Sequence, residues 1–136
     1  MKYESAVGAY RRMGAERAST AEPAMRVTML MQGALDRLAA AGGALAAGRR
    51  AEKARHIGRA VAIIDALGGS LDREAGGEIA ENLAALYGYM LRRLLQANLH
   101  DDAAALAEVG TLLRQVKSGW DAATGAPSAG AAASAG

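Results

Sequence analysis

At 136 residues, with no cysteine and a formal net charge of +2, the chain amounts to about one domain. It offers no disulfide, thiolate nucleophile or cysteine-held metal, and as a whole it is not built for a polyanion. Hydrophobic residues make up 51% but aromatics only 4%, with no phenylalanine. The core must therefore be aliphatic, and the Ala- and Leu-rich, Pro-poor composition favours helices.

The opening MKYESAVGAYRRM is polar and mixed rather than a basic-then-apolar leader. No uncharged apolar run approaches the ~18 residues needed to span a bilayer. No membrane insertion is expected, and the lack of cysteine fits a reducing compartment. Residues 2–14 can form a short helix with Tyr3, Val7 and Tyr10 on one side, too short to hold alone in water unless it docks. Residues 1–22 are therefore read as a short N-terminal helix and linker.

A four-helix unit is expected over 23–121. Helix one is predicted over about 23–47, with Thr20 as a candidate cap, Pro23 in the first turn and an apolar side of Val27, Leu30, Met31, Ala34, Leu38, Ala41 and Leu45. Gly42-Gly43 inside it suggests a bend. Helix two is predicted over about 50–71, with a stripe of Ile57, Ala60, Val61, Ile64, Leu67 and Leu71, and Ile63 off to one side. Asp72 and Gly76-Gly77 mark a break. Helix three is predicted over about 77–99, where Leu83, Tyr87, Met90 and Leu94 recur at steps of four, three and four. Helix four is predicted over about 101–121 on the seam Leu106, Val109, Leu113, Val116 and Trp120. Residues 122–136, ending TGAPSAGAAASAG, keep little beyond Ala to bury and are read as a disordered tail. Short connections give an all-α fold: an antiparallel up-down four-helix bundle with a short extra N-terminal helix.

Catalytic constellations are scarce, and the chain reads as no enzyme with no cofactor. His56 and His100 lack metal-pair spacing. Asp101 and Asp102 are most simply caps of helix four. The glycine pairs lack the Lys-Ser/Thr of a phosphate loop. Arg49, Arg50, Lys53, Arg55 and Arg59, with Glu52 the one acid among them, allow a nucleic-acid-binding module, yet no aromatic platform or recognition motif accompanies them. A solvated face is preferred, and contact with an acidic patch on a partner protein stays open. The surplus of apolar residues is more telling. Leu91 and Leu95 flank the helix-three stripe, and Met25 and Met29 lie off the helix-one stripe. Left exposed, such residues make grooves that take up amphipathic segments of a partner, and they leave homodimer formation open.

Ser70-Leu71-Asp72, GGEIAENL over 76–83 and LYGYMLRRLLQANL over 86–99, in that order, resemble the middle of the FliS family of flagellin export chaperones. The likeness extends to AYRRM at 9–13, TAEP at 20–23 and MLMQGAL at 29–35, and ends near Trp120. Departures fall at Gln32, where family members usually carry an acid, and at Arg26 and Thr28, where the family often runs apolar. The resemblance implies a non-enzymatic cytosolic chaperone. Such a protein binds the disordered C-terminal segment of flagellin, prevents its premature polymerisation and delivers it to the flagellar type III export apparatus, with the export gate and other flagellar proteins as further partners and no nucleic acid. Carried over by position, Tyr10 lies near the client. The helix-two and helix-three surface of Ile57, Ile64, Leu71, Ile79, Leu83, Leu86 and Tyr87 matches the family's strongest patterns. The exposed client contacts expected are Tyr10, Ile63, Leu91 and Leu95.

Overall fold

The computed structural model describes residues 21–125. Tyr10, the expected N-terminal helix and most of the expected tail lie outside them. Four helices follow one another: α1 (Ala21–Ala46), α2 (Arg50–Gly69), α3 (Arg73–His100) and α4 (Ala103–Thr124). Each packs on the next, α4 closes back on α1, and the backbones of the diagonal pairs do not approach closely. This is the up-down ring that connections of two or three residues impose.

The predicted stripes meet at the centre. Met31, Ala34 and Leu38 of α1 face Ile57, Ile64 and Leu67 of α2, Tyr87, Met90 and Leu94 of α3, and Leu113, Val116 and Trp120 of α4. Ala34, Ala41, Ala60, Ala80, Ala97 and Ala105 are fully buried. Small side chains at these levels let the helices approach closely where large aromatics are lacking. Trp120 closes one end of the bundle: its Nε1 donates to Thr28 Oγ1 at 2.8 Å, and that hydroxyl donates in turn to the Ala24 carbonyl at 3.1 Å. α1 is thereby tied to α4 across 92 residues of sequence.

Several boundaries differ from the expectation for identifiable reasons. α1 runs unbroken through Gly42-Gly43. Gly42 lies beside Leu106 of α4, so packing against α4 supports the helix where propensity alone weakens it. α3 begins one turn early. Asp72 accepts from the Ala75 amide at 3.0 Å and starts a turn that is broken at Gly77, whose φ of 55° and ψ of −132° suit glycine alone. Asp101 does not open α4. It sits in the left-handed region (φ 51°) as the C-cap of α3, and Asp102 is the N-cap of α4, accepting from the Ala105 amide at 3.0 Å. α4 continues past Asp121 to Thr124, where Gly125 (φ 79°) ends it, so residues 122–124 belong to the helix rather than to the tail. Among the described residues no helix is long and apolar enough to cross a membrane.

Candidate interaction grooves

The flanks of α3 are fixed by what they touch. Lys53 of α2 reaches the Asn98 carbonyl at 2.9 Å, and Gly68 of α2 lies beside Tyr87. On the opposite flank Tyr89 and Arg93 of α3 reach Glu108 of α4. Leu91 and Leu95 precede Asn98 by seven and three residues, so they share its flank and border the outer groove between α2 and α3. Leu95 is 59% exposed and Leu99, one turn further, 67%. Leu91 is half-buried against the core. Half-buried Val61 and Gly68 of α2, with half-buried Ala84 and Gly88 of α3, carry little bulk along the rest of this groove, and the Arg92 guanidinium lies over Gly88.

The other expected contact residues do not converge there. Ile57, Ile64, Leu71 and Tyr87 are buried in the core and present nothing to a partner. Their spacing marks them as apolar but cannot say which side of the stripe faces solvent. Leu86 is half-buried against the core on the same flank as Tyr89 and Arg93, toward α4. Ile63 is half-buried on the other side of α2, where its Cδ1 lies 3.7 Å from the place a Cβ on Gly33 of α1 would take. The expected quartet thus reduces to Leu91 and Leu95 as neighbours. Leu99 joins them; its step of four from Leu95 was a usable signal in the sequence.

A second groove, between α1 and α4, gave no such signal. It is lined by Leu35, Ala39 and Gly42 of α1 and Ala107, Gly110 and Arg114 of α4. Its volume, about 280 Å³, is at the low end for small-molecule sites. Met25 and Met29 are exposed near the start of α1.

The basic run on α2 divides. Lys53 turns inward, 4% exposed, and binds Asp101 Oδ1 at 2.5 Å, with Arg50 3.4 Å from the other oxygen. The hydrogen bond from Lys53, aided by the charges of Lys53 and Arg50, holds the Asp101 carboxyl below the usual carboxylate range against the opposing effect of burial. Between α3 and α4, Glu108 accepts from the Tyr89 hydroxyl at 2.7 Å and from Arg93 Nε at 2.6 Å. The two bonds lower the pKa of Glu108, and the bond to Glu108 raises that of Tyr89 against the opposing charge of Arg93. Both clusters fasten helices together, and Arg50 and Asp101 also line a cleft of about 260 Å³ with Leu45, Gly48 and Arg49. Among the described residues no group of three His, Asp or Glu could hold a metal.

Residues 6–127 match the model of a family described as flagellar protein FliS. A flagellar secretion chaperone FliSB of Pseudomonas aeruginosa is 50% identical over 103 residues, covering 76% of this chain and 82% of its own. The flagellar secretion chaperone FliS of Salmonella typhimurium is 43% identical over 118 residues, 85% of this chain and 87% of its own. That of Escherichia coli is 40% identical over 114 residues, 82% and 84% of the two chains. With likeness of this extent running through all four helices, the chain belongs to the FliS family of flagellar proteins.

Proposed function

We propose that this protein is a secretion chaperone of the bacterial cytosol. Its client is the disordered C-terminal segment of flagellin, which it keeps from polymerising early and hands to the flagellar type III export apparatus. Family membership supports the chaperone role. The observation that carries the site is the exposed leucine stripe, Leu95 and Leu99 with Leu91 at its base, along the α2–α3 groove. An isolated leucine on a surface is ordinary. Leucines spaced four apart beside a groove of small residues are what an amphipathic segment needs on its partner. Ordering a disordered client costs about 2–5 kcal/mol, so the client must cover more than this one stripe, and the α1–α4 groove extends the apolar surface around the bundle.

The physical logic of the role is occlusion. A segment whose apolar face makes the subunit contacts of a filament cannot assemble while that face lies against the bundle. The test is a polymerisation assay with purified flagellin. An equimolar amount of the chain should suppress seeded filament growth, and Leu95→Asp should suppress it far less. Equal suppression by both proteins would remove the α2–α3 groove from the client site.

A further inference from the structure

We propose that the face shared by α1 and α2 around Arg37, Arg55, His56 and Arg59 docks an acidic segment of a protein partner, apart from the apolar grooves. The sequence presents a basic run on α2, but the fold redistributes it. Lys53 and Arg50 are committed to Asp101, and Arg49 lies 3.8 Å from Glu52. Arg55 and Arg59 remain exposed, and no ion pair engages either among the described residues. α1 adds to them a cation that is remote in sequence: Arg37 Nη1 lies 3.2 Å from His56 Nδ1.

That contact has a direction. A guanidinium only donates, so Nδ1 accepts and the imidazole carries its proton on Nε2. The pair therefore offers donors alone: the remaining N–H groups of Arg37 and the Nε2–H of His56. Arg55 and Arg59 stand four residues apart on one helix, a like-charge spacing that opposes the fold and that a bound anion relieves. Asp36, which directly precedes Arg37, accepts from Gln32 one turn back at 2.9 Å.

Guanidinium forks match carboxylates and phosphates alike, two bonds at a time, so stacking rather than charge separates the two. Single-strand binding wants exposed aromatic platforms, whereas among the described residues Trp120 and Tyr87 are buried and Tyr89 is engaged with Glu108; this favours carboxylates of a protein. The side of α2 that carries Arg55 and Arg59 is also not the side that faces α3. A partner here and a client on the α2–α3 groove can be held together.

The test uses the full chain, nitrogen-15 labelled, titrated at low salt with a Glu-rich peptide, with its Gln-for-Glu counterpart, and with a single-stranded oligonucleotide of equal length. The expected result is binding of the Glu-rich peptide alone, with amide shifts concentrated at Arg37, Arg55, His56 and Arg59. The double variant Arg55→Glu with Arg59→Glu should weaken it at least ~10-fold, and Arg92→Glu on α3 should leave it unchanged. The double variant should still bind a flagellin C-terminal peptide, so the client reading and this one fail separately. Absence of binding, or shifts spread equally over Arg92 and Arg114, would overturn the proposal. Tighter binding of the oligonucleotide through the same residues would overturn it in favour of nucleic acid.

Discussion

Asp101 has two duties: it caps α3 in a left-handed conformation, and it neutralises a lysine that α2 sends into the interior. Because its folded pKa is depressed, the unfolded chain takes up that proton first as pH falls. The stability it contributes is fully present above the unfolded carboxylate value of about 3.9 and is lost as pH falls through the folded value. Glu108 acts in the same direction. The urea midpoint should therefore drop steeply below about pH 4. Asp101→Asn should start lower at neutral pH, with Lys53 left buried beside a neutral amide, and should fall less steeply in acid. The leucine assignments are tested at the same scale. Ile64→Ala, at a fully buried site, should cost about 2–5 kcal/mol. Leu95→Asp should stay within about 0.5 kcal/mol of the parent, read by urea titration with Trp120 fluorescence as the signal. Of these facts the sequence made Ile64 legible through its stripe. It concealed Lys53, which stands four residues before Ile57 on that stripe yet sits within a basic run. Partners 48 and 45 residues away, Asp101 and the Asn98 carbonyl, explain its burial, and periodicity carries no information about such partners.

At the level of the helices, the order and type of the four described are legible in the sequence, because steps of three and four run through every stripe and few residues oppose helix formation. Ends are less so. Asp72 and Asp102 are ordinary caps, but Asp101 beside Asp102 offers two candidates, and the choice between them depends on the distant Lys53. The glycine pair 76–77 signals a break but not the turn before it, and the break falls at Gly77. Its φ of 55° with ψ of −132° is closed to other residues, so Gly77→Ala should cost about 1–3 kcal/mol, whereas Gly58→Ala, exposed and helical, should be neutral or slightly stabilising. Thermal melts of the two variants, opposite in sign, check this. Asp102→Ala should cost about 1 kcal/mol through loss of the α4 cap.

At the level of the molecule, a ring of four helices leaves an outer groove between each pair of neighbours, and the sequence cannot say which of them remain open. Residues on the edge of a stripe are apolar whether they widen the core or line a groove. Leu91 and Leu95 have the same composition and nearly the same phase, yet one is half-buried and the other exposed, because one more step round α3 carries the side chain past α2. The α1–α4 groove was illegible for a related reason: it is made by small residues, Ala39, Gly42, Ala107 and Gly110, whose absence of bulk gives no signal in a pattern of large apolar side chains. The central claim, an apolar groove that holds a flagellin segment, is tested most directly by calorimetry of the full chain with a flagellin C-terminal peptide at low and high salt. The account predicts one-to-one binding that hardly responds to salt, has a negative heat-capacity change and is lost in Leu95→Asp. No heat from a folded sample, or binding that collapses with salt and ignores Leu95→Asp, would contradict it.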